Sequence, residues 1–234
     1  MHETLRFTIQ GVVPTILCNG QTSDPLNKFA KALKKITSKK NKTEEDHKEM
    51  AKLEFMACMY VDEKGHPCWP SDNLEAMIIK AAAKSRKGTD AKSAVFIESH
   101  APLMYDGPKT PEALWKHRTM DANPFVLRAS VVVNRNRVMR TRPIFRDWAL
   151  QFDVHFLIDM FERDQVIDIL ETAGRVIGLS DWRPKYGRFN VVKAESITYE
   201  EGNKNGEEKE QPEEKVDGEE VSTEGQGVLE EVSS

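Results

Sequence analysis

The sequence predicts an α+β fold, a four-stranded antiparallel sheet with two helices over one face. Three observations carry that prediction. Runs alternating apolar and polar residues open the chain at 5–10 and return at 148–157 and 187–192, the period of strands buried on one side. Stretches after Ser71 and after Glu162 instead repeat apolar residues at the spacing of a buried helical face. The order strand, helix, strand, strand, helix, strand lets both helices lie against one side of a single sheet.

Taken in order, Leu5, Phe7 and Ile9 alternate with Arg6, Thr8 and Gln10 before the turn Gly11-Val12-Val13-Pro14. Asp24-Pro25 is suited to start a helix, Asp as N-cap and Pro in the first helical position, with Leu26, Phe29, Ala30 and Leu33 on one side. Thr43 can cap a second helix with Asp46 completing a capping box, and Met50, Leu53 and Ala57 give that helix an apolar stripe. The two form a helical insertion at about 24–57. Residues 58–61 read as a short strand entering the turn Asp62-Glu63-Lys64-Gly65. Ser71 or Asp72 can cap the next helix, which faces the core with Leu74, Met77, Ile78, Ala81 and Ala82. Residues 93–98 read as a strand, and 100–123, with Pro102, Pro108 and Pro111, as loop.

Residues 125–139 and 148–157 are strand-like runs separated by Arg140-Thr141-Arg142-Pro143, which predicts a long antiparallel β-hairpin. The helix over 162–177 aligns Val166, Ile169, Leu170, Ala173, Val176 and Ile177, and Gly178 stands where a left-handed C-terminal cap is wanted. A last strand runs from Gly187 through Phe189, Val191 and Val192. Together these elements describe a ferredoxin-like arrangement of the RRM type.

With 39% hydrophobic and 31% charged residues in 234, the chain has the composition of a soluble globular protein. No run approaches the roughly 18 apolar residues of a membrane span, and the start lacks the pattern of a secretory signal, so a cytoplasmic location and no membrane partner are expected. Cys18, Cys58 and Cys68 are odd in number and scattered, which supports neither a disulfide framework nor a zinc knuckle. The net charge of -4 hides a division: residues 200–234 carry thirteen acids against three lysines, a net -10, which leaves +6 for residues 1–199. The segment has too little apolar content to fold and reads as a disordered acidic tail on a mildly basic domain. That polarity fits a nucleic-acid binder whose tail screens its own surface, and equally a plain solubilising segment.

Arg128, Arg135, Arg137, Arg140, Arg142 and Arg146 all fall on the predicted hairpin, with no acid between Leu127 and Arg146. Guanidinium groups on exposed strands can hold successive phosphates through paired hydrogen bonds. By parity 135 and 137 share one face and 140 and 142 the other, so the arginines surround the hairpin's end. The other reading of this charge is a hairpin kept soluble by it, or paired with acids elsewhere in the body. A second constellation, residues 178–189, joins Trp182 and Tyr186 to Arg183, Lys185 and Arg188, the ingredients for stacking a base and holding its phosphate, although the two aromatics could equally cap the core. Lys34, Lys35, Lys39 and Lys40 lie in an acid-free stretch that is either a solvated turn or a backbone-contacting patch. The six histidines form no metalloprotease pair, no Walker phosphate loop is present, and no catalytic residue, metal ligand or cofactor is assigned.

Three stretches in order resemble the RAMP superfamily, the ferredoxin-fold backbone subunits that bind guide RNA in CRISPR effector complexes. The first strand and Gly11-Val12-Val13-Pro14 are similar to the family's opening strand and small-residue turn. Asp24-Pro25 and the run from Val61-Asp62-Glu63-Lys64-Gly65 to Ser71-Asp72-Asn73-Leu74-Glu75-Ala76 resemble its Asp-x-Pro element and its turn into a Pro-Gly-Ser-Ser-Leu-Lys-Gly helix start. Residues 178–189 occupy the place of its C-terminal glycine-rich loop. Asp72 and Asn73 stand for Gly-Ser, Glu75 and Ala76 for Lys-Gly, and the last loop keeps only Gly178 and Gly187. The chain as a whole looks like proteins of bacteriophages and prophages, a free-standing RAMP-like protein. The expectation is a non-enzymatic binder of single-stranded RNA or DNA, with self-association of copies along the strand left open. Two alternatives are a ribonuclease, which the resemblance would build on Asp24, and a protein that engages a host or phage protein through the same basic surface.

Overall fold

The computed structural model describes residues 1–197; the acidic segment at 200–234, and with it the expectation of a disordered tail, lies outside the described residues. The chain enters through β1 (His2–Gly11) and the short β2 (Thr15–Ile16). Asp24 does not cap the next helix. Its carboxylate accepts the Leu26 amide at 2.8 Å in a local turn, and Asn27, accepting the Phe29 amide at 2.9 Å, caps α1 (Lys28–Thr37). An Asx turn competing with the helix start explains the shift, and it leaves Leu26 exposed rather than on the helix face. The capping box of Thr43 and Asp46 opens α2 (Glu44–Cys58) as expected. That helix buries Ala51, Glu54, Phe55 and Ala57, a face rotated slightly from the expected stripe, with Met50 and Leu53 half-buried. Because α2 continues through Cys58, the strand expected at 58–61 shrinks to one bridge between Val61 and Pro67.

After β3 (Cys68–Trp69) comes α3 (Ser71–Ala82), which buries Leu74, Met77, Ile78, Ala81 and Ala82 as their spacing predicts. Pro70 occupies its N-cap and no side chain caps it. Helix α4 (Gly88–Ala94) takes the start of the segment read as strand, leaving β4 (Val95–Phe96). The stretch read as loop contains β5 (Ala101–Pro102) and α5 (Pro111–Lys116), the latter capped by Thr110 with Pro111 in its first turn.

The hairpin expected between 125–139 and 148–157 does not form: residues 149–157 pair with β1 and β4 instead, and the first run folds back on the residues that follow it. Strands β6 (Val126–Val133) and β7 (Asn136–Phe145) pair from Val126 with Pro143 to Val133 with Asn136, and the chain reverses at Asn134 and Arg135. Both turn residues have positive φ, 48° and 66°, the geometry of the tight turn that suits strand twist. The turn falls within the polar run Asn134-Arg135-Asn136-Arg137 and carries no glycine, the residue that usually marks such a reversal. Arg140-Thr141-Arg142-Pro143 is strand, not turn. Pro143 is tolerated because its neighbours' groups carry the pairing: the Pro143 carbonyl accepts the Leu17 amide at 3.1 Å, and the Ile144 amide reaches the Phe125 carbonyl at 2.9 Å.

Strand β8 (Ala149–Leu157), helix α6 (Arg163–Thr172), a π turn at Ala173–Ile177 and β9 (Phe189–Ile197) complete the described chain. The main sheet has the order β4-β8-β1-β9, antiparallel throughout. Counting only its own strands, the second, third, first and fourth lie side by side, which with α3 and α6 is the ferredoxin-like topology. The second strand is the two-residue β4 rather than a hairpin arm. A separate three-stranded sheet has the order β2-β7-β6, and β3 pairs with β5.

Leu5, Phe7 and Ile9 of β1 and Leu150, Phe152, Val154 and Phe156 of β8 meet the buried faces of α3 and α6 in one core. Each such fully buried side chain contributes about 1.5–3 kcal/mol relative to exposure. Val176, expected on the buried side of its helix, is exposed, and so is Val192 on the last strand. On the other side of the sheet polar residues join across strands, Arg6 to Asp153 at 2.7 Å and Thr4 to His155 at 2.8 Å. Among the described residues no helix is long and apolar enough to cross a membrane.

Candidate nucleic-acid interface

The six hairpin arginines divide into two groups. Four have an acceptor within the body. Arg128 pairs with Asp121 at 3.2 Å, Arg140 with Glu54 at 2.6 Å, Arg142 with Asp181, and Arg146 donates to the Pro124 carbonyl. Arg135 and Arg137, at the tip, are exposed, and among the described residues no ion pair engages either. The register places Arg137 opposite Val132 on one face, and Arg140 and Arg142 opposite Ala129 and Leu127 on the other, as strand parity predicts. Val132, Val133 and Met139 add exposed apolar surface beside the tip arginines.

At the hairpin's base the buried carboxylate of Glu54 receives both the Arg140 guanidinium and the Thr141 amide, the latter at 2.8 Å. No sequence signal links Glu54 to Arg140 across 86 residues; the one hint is an acid on the buried face of α2.

Residues 178–189 are fixed to β2 and the turn before it. The Leu179 carbonyl accepts the Thr15 hydroxyl at 2.5 Å, the Ile16 carbonyl accepts the Asp181 amide at 3.0 Å, and the Pro14 carbonyl accepts the Gly187 amide at 2.8 Å. Gly187 has φ +78°, and a Cβ there would stand 2.2 Å from the Leu179 carbonyl oxygen, so glycine is required for this closure. Since β2 also pairs with β7, the loop is delivered to the hairpin's base. There the Arg142 guanidinium lies 5.2 Å from the centre of the Trp182 ring while hydrogen-bonding Asp181. Trp182 and Tyr186 are 5.9 Å apart, both half-buried, and the Lys185 ammonium lies 5.7 Å from the Tyr186 ring. Arg183, Lys185 and Arg188 are exposed. The structure thus brings Arg140, Arg142, Trp182 and Tyr186 into one region, and holds Arg135 and Arg137 out at the tip.

Lys34, Lys35, Lys39 and Lys40 are all exposed at and beyond the end of α1, with Lys39 held by Asp46 at 2.6 Å. Leu33 of α1 lines a cleft of about 300 Å³ shared with Cys18, Glu54, Cys58, Arg140 and Arg142. Asp24 is exposed and engaged in its turn. Among the described residues no group of three or more His, Cys, Asp and Glu side chains gathers that could hold a metal ion.

No family model matches this chain, and no curated protein does. Among solved structures it is similar to a chain in a cryo-EM structure of the type III-B Cmr-beta bound to cognate target RNA. The identity is 11%, the match covers 84% of this chain and 61% of that chain, and the TM-score is 0.48. The chain therefore spans about three fifths of that neighbour's length.

Proposed function

We propose that this chain is a non-enzymatic single-stranded nucleic-acid-binding protein, free-standing and of phage or prophage type, that holds its ligand between the β6–β7 hairpin and the 178–189 loop. The phage assignment rests on the sequence resemblance alone. The observation that carries the binding reading is the meeting of cationic hairpin and aromatic loop at Arg142. Arg135 and Arg137 are uncommitted charges that take phosphates. Tyr186 and Trp182, edged by Arg183, Lys185 and Arg188, present ring surface to an unpaired base. Lys34, Lys35 and Lys40 add sequence-independent attraction. The four internally paired arginines build the platform more than they bind, since their charge is already answered.

The test is titration of labelled single-stranded RNA, single-stranded DNA and duplex at about 50 and 200 mM salt. Tighter binding of the single strands, with log affinity falling by roughly 0.7 per phosphate contact for each unit of log salt, is the expected result. Equal affinity for duplex, or no binding at low salt, overturns the reading. A partner protein captured through the same surface would show no such linear salt dependence.

A further inference from the structure

We propose that Cys18 and Cys58 form an oxidation site, in which a hydroperoxide converts this dithiol into an intramolecular disulfide at the floor of the arginine cleft. Forty positions apart in sequence, the two sulfurs lie 3.8 Å from each other, with the Cys58 thiol donating to Cys18. Both residues line the cleft together with Arg140, Arg142 and Glu54, and both are partly accessible. The third cysteine differs in each respect. Cys68 is fully buried in β3.

The surroundings divide the roles. The hydrogen bond from Cys58, helped by the charges of Arg142 and Arg140 and opposed by burial, holds Cys18 well below the ordinary thiol range. Cys58 is pushed up, by donating that hydrogen bond and by burial, so it stays protonated until its partner has reacted. Burial raises Cys68 to about 11. Cys18 is therefore the nucleophile and Cys58 the resolving thiol. In the first step the Cys18 thiolate attacks the peroxide, the O–O bond breaks, Cys18 becomes a sulfenic acid, and the alkoxide or hydroxide leaves. In the second, Cys58 gives up its proton and attacks the Cys18 sulfur; the S–S bond forms, and the departing hydroxide takes that proton as water. The net change is two thiols and one hydroperoxide to one disulfide, one alcohol or water, and one water. The bond requires the sulfurs to close from 3.8 Å to the roughly 2.05 Å of a disulfide; Cys18 stands just past β2 and Cys58 is the last residue of α2.

The experiment treats the folded full chain with hydrogen peroxide, blocks remaining thiols, and maps peptides by mass. A linked peptide pair holding Cys18 and Cys58, two hydrogens lighter than the reduced pair, is expected, with Cys68 alkylated only after unfolding. Before oxidation, Cys18 should alkylate at least about tenfold faster than Cys68 at neutral pH. The Cys58→Ser variant should stop at a sulfenic acid on Cys18 that a cyclic 1,3-dione traps, and circular dichroism checks that it is folded. Linkage through Cys68, linkage only between separate chains, or three thiols still free at complete peroxide exposure overturns the proposal. Because wild-type protein gives the primary readout, a misfolded variant leaves the test intact, and no part of it depends on nucleic-acid binding.

Discussion

Arg137 and Arg140 lie three residues apart on the same strand, yet they are different kinds of charge. The Arg140 guanidinium reaches a carboxylate that is itself buried, so Arg140→Glu sets two carboxylates against each other and strips Glu54 of its strongest donor. That change should cost at least about 1–3 kcal/mol in urea unfolding. Arg137→Glu touches no partner and should stay within about 0.5 kcal/mol of wild type, while weakening single-strand binding and flattening its salt dependence. Equal stability of the two variants would refute the assignment of Arg140 to the platform. Trp182 sets a similar division among the indoles. Trp148 is buried, donates to the Val13 carbonyl at 2.9 Å, and lies so close to Gly11 that a Cβ there would fall 2.2 Å from its ring nitrogen. Trp148→Ala should therefore cost roughly 3–5 kcal/mol of folding. Trp182→Ala, at a half-buried site edged by Arg142, should cost less in folding and about 1–3 kcal/mol in single-strand binding. Melting and binding measured on the same two samples decide the matter, and a Trp182→Ala protein that binds normally loses the stacking role.

At the scale of elements, the β6–β7 hairpin holds the clearest conflict between local preference and place. Arg135 occupies the left-handed region, φ 66°, at the second position of a two-residue turn where glycine is the favoured choice. Replacing it by glycine should relieve about 1 kcal/mol of backbone strain, and should weaken nucleic-acid binding by removing a tip charge. Opposite signs for stability and affinity are the expected signature of a residue kept for its charge; a variant that gains stability and keeps full affinity would show that the tip does not bind. The same turn explains what could be read ahead of the structure. Helical spacing at Leu74, Met77, Ile78, Ala81 and Ala82, and alternation at Leu5, Phe7 and Ile9, are local patterns facing a continuous core, and both were legible. The reversal at Asn134 and Arg135 was not, because it has no glycine and lies inside the polar run from Asn134 to Arg137, while Pro143 offers false punctuation inside a strand. Helix α1 began three residues late because Asp24 satisfied a nearer amide than the helix offered. At the site, the arginines and the aromatic loop were legible as composition. Their acceptors were not: Glu54, Asp121 and Asp181 come from other parts of the chain, and pairing between distant residues has no sequence period. Cys18 and Cys58 are hidden for the same reason.

Across the whole molecule the governing quantity is the separation of charge, -10 on residues 200–234 against +6 on residues 1–199. Internal pairing already answers part of the positive body, and the exposed cations of the proposed site are the hairpin tip, the loop's Arg183, Lys185 and Arg188, and Lys34, Lys35 and Lys40 at and beyond the end of α1. We propose that the acidic segment competes with phosphate for this surface, in which case its effective concentration is set by the tether rather than by the solution. Its influence reaches only about a Debye length, roughly 8 Å at physiological ionic strength, so the competition should matter most in dilute salt. Ending the chain after residue 199 is therefore expected to tighten single-strand binding at low salt, and to make affinity fall more steeply as salt rises. The two proteins should converge near 1 M salt, where screening has shortened to about 3 Å. A peptide of residues 200–234 added in trans should restore the weaker binding only at high concentration, because it lacks the tether. Titrations of both proteins across a salt series measure all three effects together. Identical affinities and slopes for the full and shortened chains would show that the acidic segment does not meet the basic surface, and would leave solubility as its physical role.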